Sequence, residues 1–583
     1  MKSLLPENTI KSLLGLFLIS VFVIGCSSGS DAPADSDGDG VADAVDAFPN
    51  DASQSFDDDS DGVGNDSDNC PLAANADQSD VDGDTLGDVC DTAITTTYAG
   101  FDSAFTSDAD GVADSSISYS GQTARQLLIL GLVDTMTALT EGDTDAKANM
   151  TAWVNGSDAL VHGFDVKGGE PVIPGPTIGD ISTGKNLTEK IAGGSDRADQ
   201  TGETSLLLDE NGARKPETGG EFFGWSDGMT ATSTPLNLVD YFIDKLATEA
   251  TDGTDITVQT TAGAASVAIT AYQGDAHARD YRQLIQKFLL GAVTLSQASN
   301  DYLHHNWEGD SALSQEKGTK AYGEAEHDWD EAFGYYGAAR NNADFTDDEA
   351  VGKTPGTGFP EAKDAFKNGY NDANADGSID VRSEINLGIS QNCHKRDRKD
   401  LDGDGVGETD MSKEAFDAFI LGRHVLSDAT NAGSLSAAQL AVIKAQAEIA
   451  GKAMEKCVAA TVVHYINDVI ADMADFDATS SVFKDTSNFK DLAKHWSEMK
   501  GFALGLQFSP WSPFAVDKTE RDKLKTILSD MGDGPVLADG SQVGVAATGT
   551  AAAAIAAYKT KLETARATLA TAYGFSDELA AAW

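Results

Sequence analysis

The sequence predicts a mainly α protein, a helical bundle or array with long loops, preceded by a small irregular region of acidic repeats. Three observations carry this. Beyond residue 92, apolar residues recur at helical spacing over most of the chain, including one proline-free pattern over 436–475. The regular alternation of strands and helices that builds a parallel sheet does not appear. Residues 35–91 hold eighteen aspartates and no lysine or arginine, a composition that cannot build an apolar core.

In chain order, residues 1–25 read as an export signal. Lys2 and Lys11 precede an apolar run from Leu13 to Ile24, too short to span a bilayer as a mature helix. The run ends Val23-Ile24-Gly25-Cys26-Ser27, which resembles the bacterial lipobox. The resemblance implies that Cys26 is lipidated and that the chain is moored to a membrane by lipid, with Ser27 favouring the outer membrane, periplasm-facing or at the cell surface. No later stretch is read as a transmembrane helix. Residues 26–34 form a short polar tether, 35–91 the acidic repeats and 92–583 a helical domain. Helices are expected near 121–139, 236–249, 276–304, 412–429, 436–475, 487–506, 517–531 and 550–573. A hairpin is expected within 255–272, and long loops over 163–232.

The chain of 583 residues carries a net charge of −53. Such a surface repels nucleic acid and attracts cations, so a nucleic-acid partner is not expected. In the acidic region the carboxylates are spaced rather than scattered. Carboxylates this dense would hold the chain open by repulsion. Calcium, with about six to eight oxygen ligands, removes the conflict when alternate residues of a tight loop point at one centre. Folding and the binding of several calcium ions are then one event.

The first copy of the pattern is Asp35, Asp37, Asp39, Gly40, Asp43 and Asp46. The second is Asp57, Asp59, Asp61, Gly62, Asn65 and Asp68, followed by Asn69-Cys70-Pro71. The third is Asp80, Asp82, Asp84, Asp88 and Asp91. This resembles thrombospondin type 3 repeats, which implies that these side chains wrap calcium with little apolar core and serve as a stiff, metal-dependent spacer. Cys70 and Cys90 bracket the third copy and are expected to form a disulfide in an exported chain. Whether Cys393 and Cys457 pair is left open by their spacing.

Two loops in the helical domain share the chemistry. Asp372, Asn374, Asp376, Ser378 and Asp380 supply oxygens at alternate positions with Gly377 at the sharp turn, as in an EF-hand, but the acid expected at position twelve comes one place late, at Glu384. Asp400, Asp402 and Asp404 begin a second loop in which position twelve is Met411. Both are candidate calcium ligand sets; the alternative is an Asp-rich turn capping the next helix.

Of the nine histidines, several sit beside acids at helical spacing. Glu324-x-x-His327 has the i, i+3 spacing of di-metal carboxylate bundles, with Asp301-x-x-His304 a loose second copy. His327, Asp330 and Glu331, with His495 and Glu498, are candidate pocket residues; the alternative is a set of buried, hydrogen-bonded pairs. No zinc-protease, phosphate-loop or nucleophile-elbow motif is present.

The stretches His327-Asp-Trp329-Asp330-Glu331-Ala332-Phe333-Gly334-Tyr335, His495-Trp496-Ser497-Glu498-Met499-Lys500-Gly501-Phe502 and Tyr119-Ser120-Gly121-Gln122-Thr123-Ala124-Arg125 resemble an uncharacterised family of bacterial surface lipoproteins, domain of unknown function 4856, over most of 92–583. A second similarity is to imelysin-like lipoproteins, linked to iron acquisition, whose Gly-x-His-x-x-Glu hallmark is matched here by His495 and Glu498 without the glycine. The anchor, the spacer and the lack of a catalytic signature point to a module that binds a protein or small ligand, with metal or iron acquisition as the role the imelysin-like resemblance implies. An imelysin-like metal-dependent hydrolase and a structural or adhesive protein are the alternatives.

Overall fold

A computed structural model describes residues 34–583, except 39, 66, 73, 77, 79–86, 88–95, 102, 106–114, 165–170, 193–221, 231–232, 254–255, 270–273, 309–311, 354–363 and 404. The described residues fall into two compact units, 34–87 and 96–583. In the first unit, the non-glycine residues that are buried among those described are Asp46, Cys70 and Asn75, while Val45, Phe56 and Leu72 face solvent. Among its described residues it is turns and loops without an apolar core.

The second unit is mainly α. Its first helices are α1 (Ser120–Thr137), α2 (Ala146–Asn155), the single turn α3 (Ile178–Ile181) and α4 (Pro235–Asp252). Next come the hairpin β2–β3 (Ile256–Val258, Val267–Ile269), paired antiparallel, and the short pair β4–β5 (Gly274–Asp275, Arg279–Asp280). α5 (Tyr281–Leu289) runs on into two π-helical segments, Leu290–Leu295 and Gln297–Tyr302. α6 (Glu324–Tyr336), the single turn α7 (Asp347–Ala350) and α8 (Gly388–Asp397) follow. The C-terminal array is α9 (Met411–Ala432), α10 (Ala437–Ala474), α11 (Thr486–Gly505), α12 (Lys518–Met531), α13 (Ala551–Tyr573) and α14 (Asp577–Ala582). A two-residue parallel pair, β1 (Val172–Ile173) with β6 (Ile379–Asp380), was not foreseen.

The helix boundaries have local causes. The Thr234 hydroxyl accepts the Asn237 N–H ahead of Pro235, and Gly253 closes α4 at φ 58°. Ser436 caps α10 in a capping box with Gln439, and Asp485 caps α11 through the Asn488 N–H. α10 is the spine, packing along α9 and α11 and also touching α8, α13 and α14. It is long and apolar enough to cross a membrane, which corrects the expectation that no stretch after the signal is; more than half of its apolar window is buried inside the protein, where it supplies Ile443, Met454, Val458, Val462 and Ile466 to the core. Cys393 of α8 is disulfide-bonded to Cys457 of α10, which answers the question the spacing left open. The π-helical segment lies close on α11: a Cβ on Gly291 would come within 2.5 Å of the Gly505 Cα, so both positions need glycine.

Buried charge ties distant segments together. Arg423 of α9, fully buried, donates to Glu326 at 2.7 Å, to Asp330 at 2.9 Å and to the Ser116 hydroxyl at 2.7 Å. The Tyr98 hydroxyl donates to the same Asp330 oxygen, and the Ser118 N–H donates to the other. Arg423→Met would strand two carboxylates in the core. It is expected to cost about 3–5 kcal/mol in urea unfolding, part of it recovered by adding Glu326→Gln and Asp330→Asn.

Glu455 of α10 is also buried, with the Tyr573 hydroxyl of α13 donating to it at 2.6 Å. Burial pushes its pKa from the ordinary 4.5 up to about 7. Between those values the folded chain holds the proton that the unfolded chain has lost, so stability falls as pH rises through this window and is level above it. Glu455→Gln is expected to flatten that slope and to add roughly 3 kcal/mol at pH 8, read as the difference between unfolding curves at pH 5 and pH 8.

Candidate metal centres

The acidic loops share one backbone pattern. In the first, the Asp35 carboxylate accepts the N–H groups of Gly38 and Gly40, three and five residues on, and Asp43 accepts the Ser36 N–H at 2.7 Å. In the second, Asp57 accepts from Ser60 at 2.6 Å and Gly62 at 3.0 Å, and Asn65 accepts from the Asp58 N–H at 3.0 Å. The same pattern returns inside the helical unit, between α8 and α9. Asp400 accepts from Gly403 at 2.6 Å and Gly405 at 3.0 Å, and Glu408 accepts from the Leu401 N–H at 2.9 Å. The Asp400 loop is therefore built like the repeats, with its closing acid at position nine. The sequence motif itself ends on Glu408, but the comparison with an EF-hand looks to position twelve, which is Met411 here; the repeat spacing, with Asp43, Asn65 and Glu408 at position nine, is the better match.

These bonds do not use up the oxygens. The Oδ2 atoms of Asp46, Asp59 and Asp68 are buried and make no hydrogen bond. One oxygen each from Asp57, Asp59 and Asp61 lies within 4.8 Å of the other two, and so do single oxygens of Asp400, Asp402 and Glu408. Oxygens bound to one calcium are separated by at most about 5 Å, so both groups fit the ion. Burial of its carboxylate, with Asp61, Asp68 and Asp57 close by, raises the pKa of Asp59. Asp39, the third copy (Asp80, Asp82, Asp84, Asp88, Asp91), Asp404, Cys26 and Cys90 lie outside the described residues.

The Asp372 loop is related but distinct. Asp372 accepts the Gly377 N–H at 2.9 Å, Asn374 accepts from Asp376 and Asp376 accepts from Ser378. Gly377 has φ 84°, the left-handed turn an EF-hand requires. Glu384, although one place late, turns back into the loop and accepts the N–H groups of Ala373 at 3.0 Å and Asp380 at 2.8 Å. Asp380 is committed to Arg382 at 2.9 Å, which lowers its value as a metal ligand.

The candidate pocket residues do not form one pocket. Asp330 belongs to the Arg423 network. His327 stands between Glu316 (Nδ1, 2.5 Å) and Glu331 (Nε2, 3.7 Å). His495 of α11 is bound by Asp472 of α10 at 2.8 Å, which raises its pKa, burial opposing. Glu498 is buried beside Lys287 at 3.5 Å. The expected pairing of His495 with Glu498 is thus replaced by separate ion pairs, because α10 brings Asp472 and α5 brings Lys287 to that face.

A family model described as Domain of unknown function (DUF4856) matches residues 221–351. The matched segment runs from ahead of α4 through the π-helical segments and α6 to α7, and includes His327–Tyr335. It is narrower than the resemblance drawn from sequence, since Tyr119–Arg125 and His495–Phe502 fall outside it. No curated protein and no solved structure matches the chain.

Proposed function

We propose that this chain is a calcium-dependent outer-membrane lipoprotein, in which acidic repeats form a metal-stiffened spacer and the helical unit is a module that binds a ligand or partner. The observation that carries the calcium reading is the set of buried carboxylate oxygens at Asp46, Asp59 and Asp68 that no hydrogen-bond donor satisfies. A buried anionic oxygen left without a donor is costly, and a divalent cation is the partner that ordered loops of this kind accept. The near absence of an apolar core among the described residues of 34–87 supports the same reading: apart from their own hydrogen bonds and the disulfide-bonded Cys70, little else could hold those turns in place.

Isothermal calorimetry on the mature full-length chain is expected to register several calcium equivalents, with a rise in melting temperature. Asp59→Asn combined with Asp68→Asn should remove at least one equivalent and part of that rise. Absence of heat at millimolar calcium would end the reading.

The lipobox resemblance adds a separate expectation. Cys26→Ser should move the protein from the membrane fraction to the soluble fraction and abolish incorporation of labelled palmitate; retention in the membrane would mean another anchor.

A further inference from the structure

In a chain with this excess of acid, the start of α1 is a local exception. No side chain caps the helix, its first turn carries no acid, and the N–H groups of Ser120 and Gly121 find no acceptor among the described residues. Two cationic side chains converge on that turn. A Cβ placed on Gly121 would lie 3.3 Å from the Lys185 Nζ and 3.6 Å from the Arg125 Nη1. Lys185 comes from the loop after α3, which the Leu187 N–H pins to the Val154 carbonyl of α2 at 2.9 Å. Arg125, one turn further along α1, leans back over Gly121 and donates through Nε to the Asn186 carbonyl at 3.1 Å.

Other cations of this neighbourhood have acids. Lys190 has Asp301 at 3.9 Å and Lys317 has Glu316 at 2.9 Å. Lys185 and the buried Arg125 make no ion pair among the described residues. Burial and the nearby charge of Arg125, Lys190 and Lys317 lower the Lys185 pKa, with Glu331 opposing. A second observation is independent of the charges. The Gln122 side chain is 1% exposed, and neither its amide nitrogen nor its amide oxygen makes a hydrogen bond. It packs on Gly334 of α6, on the face of α1 that it shares with Arg125, and the Tyr335 hydroxyl lies beside the guanidinium. A buried amide left unsatisfied at both atoms is costly, so a polar ligand at this turn answers the amide as well as the charge.

We propose that the first turn of α1 binds a phosphate group, free or as a monoester, between Lys185 and Arg125, with the Ser120 and Gly121 N–H groups and the Gln122 amide as neutral donors. A helix N-terminus turns N–H groups and positive potential toward an anion, and a guanidinium fork matches its oxygens. Glycine at 121 lets the backbone approach the ligand closely. Two cations without an ion-pair partner call for a dianion, which favours phosphate over a carboxylate. The proposal names a ligand class for the helical unit and so rests on its reading as a binding module, but it does not depend on calcium in the repeats.

The test uses the full-length chain at a calcium level too low to precipitate phosphate. Inorganic phosphate and phenyl phosphate are titrated separately by calorimetry, with acetate as the carboxylate control. One equivalent is expected for at least one of the two phosphates, with a rise in melting temperature, and the tighter binder tells a free ion from an ester. Lys185→Gln and Gln122→Leu should each weaken binding at least tenfold. Both also control for folding. Lys185→Gln relieves crowded cations and Gln122→Leu removes two unsatisfied polar atoms, so their ligand-free melting temperatures should match or exceed that of the parent. The proposal is overturned by absence of saturable phosphate binding, by undiminished affinity in both variants, or by acetate binding as tightly as phosphate. Calcium titrated into both variants should give the heat of the parent; absence of that heat in the parent would count against the repeats and not against this site.

Discussion

Ninety-four acidic residues against forty-one basic ones set the terms for this fold. Each carboxylate must keep its water, take N–H donors from the backbone, or meet a cation. The acidic loops take the second course as far as it goes. Asp35, Asp57 and Asp400 each bind two N–H groups of their own loop, which fixes the turn and aims the next acids inward. Backbone donors run out before the oxygens do, and the remainder at Asp46, Asp59 and Asp68 is the ground on which a divalent ion is proposed.

Inside the helical unit the same problem is solved with arginine. Arg423 faces Glu326 and Asp330 with its fork of donors, and Tyr98, Ser116 and Ser118 supply or absorb the remaining bonds. The contrast along α6 is instructive. Glu326 and Asp330 lie on the face turned to α9 and are satisfied. Asp328, two residues from either, is ringed by other acids and has an imidazole as its nearby ion-pair partner. What separates the two faces is that the buried guanidinium of Arg423 reaches one of them.

This also explains what could be read from sequence. The long helices were legible, from α1 to α13, because their apolar stripes and caps are local properties. α2, α8, α14 and the single turns α3 and α7 were missed because short helices carry too few periods to stand out, and α6 was not among the expected helices either, being glimpsed only in the helical spacing of Glu324 and His327. The π-helical continuation of α5 was read simply as helix: the apolar period does not distinguish i→i+5 from i→i+4 bonding, and the close approach of Gly291 to Gly505 joins residues more than two hundred positions apart. In the acidic region, spacing alone indicated the candidate ligand sets, and the structure brings one oxygen each of Asp57, Asp59 and Asp61 within 4.8 Å of one another. In the helical unit, grouping Asp330 with His327 and Glu331 was a natural error, since all three fall near one side of a helical wheel. Arg423, more than ninety residues on, decides otherwise.

The two units should differ in what an ion does for them. The described residues of 34–87 bury almost nothing apolar, so the proposed ions, with the disulfide-bonded Cys70, would supply most of the order there. The Asp400 loop is held at both ends without help. Before it, the disulfide from Cys393 ties α8 to α10; after it, the Asp397 carboxylate accepts the Met411 and Ser412 N–H groups and the Thr409 hydroxyl, fixing the start of α9. An ion in that loop can order only the few residues between Asp397 and Met411, because the helices on either side are already anchored by the core. On the proposed reading, the same loop chemistry would order one unit and trim a connection in the other, and the difference would lie in the apolar surface that each has available.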